Sequence, residues 1–97
     1  METKDITYGN TPLGWAVLNG HVEVVRLLLN RRANLETRDR FGWSLLHIAA
    51  SRGHLEVARE LIENGANLEV RDLFGESPLY WALNNGHQET VKLLMGF

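Results

Sequence analysis

Cysteine is absent from this chain, and proline occurs only twice in 97 residues. Without cysteine there are no disulfides and no thiolate metal centres, which removes the disulfide-dense secreted scaffolds from consideration. An excess of positive charge is missing as well: 10 Lys and Arg stand against 12 Asp and Glu, a formal net charge of -2. Such a surface has no basic face with which to displace counterions from a phosphate backbone, so nucleic acid is not the expected partner. No stretch approaches the roughly 18 apolar residues of a membrane span, and the opening Met1–Asp5 carries no apolar signal segment. The expectation is an intracellular protein, cytoplasmic or nuclear, with no membrane partner. Also missing are a glycine-rich phosphate loop, a paired-carboxylate motif and any recurring nucleophile, base and orienting acid. Neither an enzyme nor a cofactor is expected.

What the chain does have is repetition. The segment Thr11 to Trp43 recurs from Ser44 to Glu76 without insertion or deletion, and starts again at Ser77, a period of 33 residues. Gly20, Gly53 and Gly86 stand one period apart, as do His21, His54 and His87, and Ala16, Ala49 and Ala82. A fixed period of this size is the mark of a stacked array, in which function resides in the stack rather than in one motif. With 44% hydrophobic residues the chain can bury one modest core. We read residues 1–97 as a single domain with repeats at about 11–43, 44–76 and 77–97, the last incomplete.

Each period reads as two helices and a finger. Thr11-Pro12-Leu13 and Ser77-Pro78-Leu79 put a hydroxyl at an N-cap and proline at the first helical position, where its missing N–H loses nothing; Ser44-Leu45-Leu46 keeps the cap without the proline. These short helices stop at Gly20, Gly53 and Gly86, since glycine takes the left-handed conformation that ends a helix. Second helices follow, with Val22, Val25, Leu28 and Leu29, then Leu55, Ala58, Leu61 and Ile62, at helical spacing. Leu35 to Trp43 and Leu68 to Glu76 are too short for another helix and carry Asp39, Gly42, Asp72 and Gly75, which favour turns. They predict an extended, hairpin-like finger. A two-helix unit of this size cannot bury its apolar faces alone, so neighbours must stack.

Thr11-Pro12-Leu13-Gly14-Trp15-Ala16, Gly20-His21-Val22-Glu23-Val24-Val25 and Ser44-Leu45-Leu46-His47-Ile48-Ala49-Ala50 closely resemble ankyrin repeats, and the resemblance covers nearly the whole chain. It implies an all-α solenoid of stacked helix-turn-helix units joined by β-hairpin-like fingers, and a non-catalytic module that binds a protein or peptide on a concave face of finger tips and first helices. The alternative is a structural spacer or assembly segment of a larger protein, contacting its neighbours through exposed ends. The pattern has departures. The histidine that usually follows Thr-Pro-Leu is present only as His47, with Gly14 and Tyr80 in its place elsewhere, so weaker capping bonds are expected there. Glycine inside a helix costs roughly 1 kcal/mol, which marks the first short helix for early fraying. The finger asparagine that hydroxylases modify in many members is replaced by Glu36 and Glu69.

Positions where repeats agree serve the stack, whereas positions that differ on the concave side are free to read a partner. By analogy with the family, the candidate partner-binding positions are Arg38, Arg40, Phe41, Trp43, Arg71, Leu73 and Glu76 in the fingers. Leu18, Asn19, Ser51, Arg52, Asn84 and Asn85 join them at the ends of the first helices. Arg38, Arg40 and Arg52 are expected to gather near Trp43, read as a lone exposed indole at the finger tip, so that the partner is an acidic segment carrying an apolar anchor. Trp15 and Trp81 share the position of Ile48 and are expected to pack between units. Phe41 and Phe74, with Tyr8 as their counterpart, divide evenly between packing and contact.

Histidines invite a metal site, but His21, His54 and His87 belong to successive helices about 8–10 Å apart, and zinc holds its ligand nitrogens at about 2.0–2.1 Å. They are expected to make hydrogen bonds in the turns between helices, and His47 to bond back to Ser44. No metal is expected. At the ends, Gln88 and Thr90 soften the last helix, while Val91, Leu93, Leu94, Met95 and Phe97 remain apolar. Incomplete capping of this kind leaves three readings open: a piece of a longer array, a whole chain of marginal stability, or end-to-end self-association with another copy.

Overall fold

The computed structural model describes residues 11–96; Tyr8 and Phe97 lie outside the described residues. Six α-helices follow in pairs: α1 (Pro12–Leu18) with α2 (Val22–Asn30), α3 (Leu45–Arg52) with α4 (Leu55–Glu63), and α5 (Pro78–Asn84) with α6 (Gln88–Met95). Extended pairing among the described residues is confined to one antiparallel bridge between Arg38 and Ser44. The class is all-α, as the repeat pattern predicts.

Local chemistry sets the helix starts. Thr11, Ser44 and Ser77 have extended backbones, and each hydroxyl oxygen accepts from the N–H three residues on, at Gly14, His47 and Tyr80. These bonds measure 3.2, 3.2 and 3.3 Å, so replacing histidine by Gly14 or Tyr80 does not lengthen the cap bond appreciably. What is special to α3 is the return bond, from the Ser44 N–H to His47 Nδ1 at 3.1 Å. Second helices end where the backbone turns left-handed, at Gly65 with φ 94° and at Arg32 with φ 62°. Arg32 is the one non-glycine residue in that region among those described.

The fingers are tight turns. Gly42 N–H donates to Asp39 O at 3.0 Å and Asp39 N–H to Trp43 O at 3.0 Å; Gly75 to Asp72 and Asp72 to Glu76 repeat the pattern at 3.0 and 2.9 Å. Asp39 and Asp72 use one carboxylate oxygen to hold the turn, accepting from the N–H groups two and four residues on. Asn34 and Asn67 do the same for Glu36 and Glu69 at 2.9 Å, turns in which a short polar side chain substitutes for backbone. Successive fingers are joined by Leu73 N–H to Phe41 O at 3.1 Å and by Arg38, whose guanidinium donates to Gly42 O and Arg71 O at 3.2 Å.

First helices pack side by side in one layer, α1 on α3 on α5, and second helices in the other, α2 on α4 on α6. Between them lies the core of Leu13, Val17, Val25, Leu46, Ala49, Val57, Ala58 and Leu61. Complete burial of each Leu or Val contributes about 1.5–3 kcal/mol, and the fully buried ones come from every helix of the first two pairs. On the outer face, Arg26 bridges Glu23 at 3.0 Å and Glu60 of the next pair at 2.7 Å. Pairs this exposed add little to stability.

The turn histidines set the spacing of the stack. His54 Nε2 donates to Leu18 O at 3.1 Å, and His87 Nε2 to Ser51 O at 2.9 Å. Each ring lies against the glycine two residues past that carbonyl: a Cβ on Gly20 would stand 2.8 Å from the His54 ring, and one on Gly53 2.5 Å from His87. Gly86 has the same left-handed backbone, φ 75°, with nothing within 4 Å. The three glycines therefore carry the same conformational demand and differ in packing. Gly53→Ala is expected to cost about 1–2 kcal/mol for the left-handed backbone plus the displacement of His87, whereas Gly86→Ala costs only the first. Urea unfolding of the two variants checks the difference; equal losses would refute the ring contact. Arg32→Gly, which relieves the one strained non-glycine, is expected to raise stability by about 0.5–1 kcal/mol in the same measurement.

Candidate functional site

An open groove of about 610 Å³ runs along the face made by the fingers and the first helices. Trp15 and Leu18 of α1, Ile48, Ser51 and Arg52 of α3, and Trp81 of α5 line one side; Asp39, Phe41, Trp43 and Phe74 of the fingers line the other. Every tryptophan of the chain is among them.

The groove's geometry depends on Asp72, a 7% exposed residue at the base of the second finger. Its Oδ1 accepts from the Phe74 and Glu76 N–H groups at 2.9 Å, closing the turn. Its Oδ2 accepts from two indoles, Trp43 Nε1 at 3.0 Å and Trp81 Nε1 at 2.8 Å. Burial works against the charge of Asp72, but the Glu76 N–H, the Trp81 indole, the Phe74 N–H and the nearby His47 outweigh it and hold the carboxyl below its ordinary range. Held by one carboxylate, the two indoles pack with ring centroids 5.2 Å apart and planes inclined by 51°. Trp43 also stacks on His47 at 6.0 Å, and Tyr80 meets Trp81 edge-on at 5.0 Å. Each indole's single polar atom is spent on Asp72, so the ring surface left to the groove is apolar.

His47 supports this arrangement from beneath, fully buried. Its Nε2 donates to Glu76 O at 2.7 Å and its Nδ1 accepts from the Ser44 N–H, which fixes a neutral ring with the proton on Nε2. Burial pushes its pKa down, against the opposing pull of the Glu76 carbonyl and Asp72.

Of the residues singled out by comparing repeats, Leu18, Phe41, Trp43, Ser51 and Arg52 line the groove. Others lie beside it. Arg38 and Arg71 donate to carbonyls of the finger tips, Arg71 to Gly75 O at 3.0 Å. Leu73 is 75% exposed at the tip, and Arg40 is exposed. Glu76 contributes backbone to His47 and Asp72. The Asn19 amide donates to Trp15 O, and the Asn85 amide to the Ser51 carbonyl and hydroxyl, bracing α5 on α3; Asn84 is exposed beside it. Arg52 is thus the arginine bordering the aromatic surface, with Asp39 as the other charged residue.

Two expectations need correction. Trp43 is not a lone exposed indole at the finger tip: it is half-buried, bonded to Asp72 and packed on Trp81 and His47. Trp15 and Trp81 do not close the interior between units. Trp15 is 37% exposed, Trp81 half-buried, and both line the groove, because their helix position faces the fingers. Trp15, Asp39, Ile48, Phe74 and Trp81 are the lining residues that the comparison of repeats left out of the candidate site. The available signal is the placement of Trp15 and Trp81 at one position of the first helices, with Trp43 in the finger.

The family model for ankyrin repeats in three copies matches residues 31–97, and that for the single ankyrin repeat matches residues 8–40. The chain belongs to the ankyrin-repeat family. It is 45% identical over 42 residues, 43% of this chain, to the Notch-regulated ankyrin repeat-containing protein A of Danio rerio and to the Notch-regulated ankyrin repeat-containing protein of Homo sapiens. It is 46% identical over 43 residues, 44% of this chain, to protein phosphatase 1 regulatory subunit 27 of Homo sapiens. The matches cover 38%, 37% and 28% of those proteins' own lengths, respectively. Ankyrin repeats generally mediate protein–protein interaction, and proteins built from them are typically non-catalytic. Among the described residues no helix is long and apolar enough to cross a membrane.

Both perturbed groups beneath the groove have lowered pKa values, which fixes the sign of the pH dependence. A group that titrates lower in the folded state contributes stability above its unfolded pKa and loses it as pH falls. His47 is therefore expected to cost stability from about pH 6.5 downward, and Asp72 from about pH 4. Urea midpoints measured between pH 8 and 4 check this. The decline that begins near pH 6.5 should be smaller in His47→Gln, which has no ring to protonate; an unchanged slope would rule out His47 as its source.

Proposed function

We propose that this chain is a non-catalytic binding module whose groove takes an apolar anchor from a protein or peptide partner. The observation that carries the reading is the composition of the groove: three tryptophans and two phenylalanines around Ile48, with the indole N–H groups of Trp43 and Trp81 turned onto Asp72. Aromatic side chains supply large contact areas, and interface hot spots are enriched in tryptophan and arginine. Trp43 and Trp81 are also fixed before any partner arrives, which lowers the entropy lost on binding. Arg52 at the rim suits an acidic residue flanking the anchor, while Asp39 on the finger side disfavours an acidic residue there. The groove contains no grouping of nucleophile, base and orienting acid, and the proposed role requires none.

Selection of a displayed peptide library on the folded chain supplies ligands with which to test this. Because all three tryptophans line the groove, their emission reports its occupancy without a label. Selected peptides should carry aromatic or large aliphatic residues and shift that emission. Phe74→Ala and Arg52→Glu, both at exposed positions, should weaken binding by about tenfold or more, the effect of losing over 1.4 kcal/mol at an interface anchor. Their melting temperatures should stay near that of the parent. Peptides that bind without moving the emission and ignore both substitutions would refute the groove as the site.

A further inference from the structure

Asp39 and Asp72 close their fingers in the same way and differ in what the second carboxylate oxygen does. In each, Oδ1 accepts from the N–H groups two and four residues on. Asp72 Oδ2 is satisfied by the indoles of Trp43 and Trp81. One period earlier those two places belong to Asn10, which lies outside the described residues, and to Ile48, whose side chain has no N–H to give. Among the described residues no hydrogen bond reaches Asp39 Oδ2. The backbone thus fixes one oxygen of this half-buried carboxylate and leaves the other open, on the wall of an aromatic groove.

Arg52 is the other charged residue of the lining. Ion pairs among the described residues join Arg26 to Glu23 and Glu60, Arg59 to Glu56, and Lys92 to Glu89, all on second helices. Asp39 and Arg52 therefore stand on the two walls of one groove without pairing to each other.

An open carboxylate beside aromatic rings selects its guest. A purely apolar group laid over it would take water from Oδ2 and return no hydrogen bond, which costs free energy. An acidic group would be repelled. A cation gains twice, from a charge-assisted bond to the carboxylate and from the electron-rich faces of the rings.

We infer that the partner's apolar anchor is flanked by a lysine or arginine, and that Asp39 Oδ2 receives its cation beside the aromatic rings of the groove. This rests on the groove being the site of capture and gives that site a polarity. The basic residue lies toward the fingers and an acidic one toward Arg52 on α3, so a bound segment crosses the groove in one direction.

Asp39→Asn isolates the open oxygen. Its amide oxygen still accepts from the Phe41 and Trp43 N–H groups, as the side chains of Asn34 and Asn67 accept in their own turns, while the charge and the second acceptor are lost. Asp39→Ser, which holds such turns more weakly, replaces it if circular dichroism shows the amide variant unfolded. A displayed peptide library is selected in parallel on the parent and the variant, with tryptophan emission identifying the peptides seated in the groove. Lysine or arginine should be enriched beside the anchor on the parent and not on the variant. Exchanging that residue for glutamine in a parent-selected peptide should weaken binding to the parent by about tenfold and leave binding to the variant nearly unchanged. If neither variant folds, the glutamine exchange is read on the parent at low and high salt, where its cost should shrink as salt screens the pair. Groove-seated peptides without the enrichment, an exchange that costs the same on parent and variant, or a cost that salt leaves unaltered overturns the role of Asp39 while the groove stands. Peptides that leave the emission unmoved and ignore Phe74→Ala overturn the groove, and this inference with it.

Discussion

No unit of this fold can bury its own apolar surface, so everything else follows from how one unit seats on the next. The seating is specified by a ring, a glycine and a carbonyl: histidine at the turn of one unit lies where a Cβ of the preceding unit would be, and its Nε2–H is spent on a carbonyl two residues earlier. A side chain at Gly20 or Gly53 would lift the units apart, and loss of the ring would leave that carbonyl to find another donor. The contact lies at the edge of the core, beside the fully buried Val17 and Ala50, so small displacements there are passed into the packed interior.

The second determinant is a carboxylate that joins structure to site. In the first finger Asp39 holds its turn with Oδ1. In the second, Asp72 does this and also collects two indole N–H groups from different units. A buried charge is costly unless its hydrogen bonds are made, and here four donors satisfy one carboxylate. The cost of burying Asp72 is thereby offset by groups that shape the groove, which links the stability of the fold to the orientation of Trp43 and Trp81. His47 extends the network to Ser44 and Glu76, so helix cap, finger and groove wall form one connected polar cluster beneath an aromatic surface.

The architecture was legible in the sequence because it is periodic. Thr11, Ser44 and Ser77 cap, Gly20, Gly53 and Gly86 stop, and the apolar spacing of the second helices survives from unit to unit. Comparing repeats works column by column, and it assigned Arg38, Leu73 and Glu76 to the concave side because they lie in the fingers. It could not see a contact between columns. Trp43 looked unconstrained since Asn10 and Glu76 occupy its place, but its role is set by Asp72, 29 residues away, and by Trp81 beyond it. Trp15 and Trp81 share the position of the buried Ile48, which predicts packing between units, although that face of the helix turns toward the fingers.

The hollow itself comes from an alternation in one column. Trp15, Ile48 and Trp81 occupy the same position in successive units, large, small, large. Ile48 is 3% exposed and forms the floor, and the indoles to either side rise above it as walls. Had the three positions agreed, as a purely structural column would, the surface would be an even ridge or an even trough. Departure from the repeat is what shapes the concavity, and it does so at a position where the fingers supply Phe41 and Phe74 opposite. A regular stack sets the spacing of these positions, and irregular side chains within it give the surface a shape that one partner fits better than another, which is how specificity arises on a scaffold whose backbone is the same in every unit.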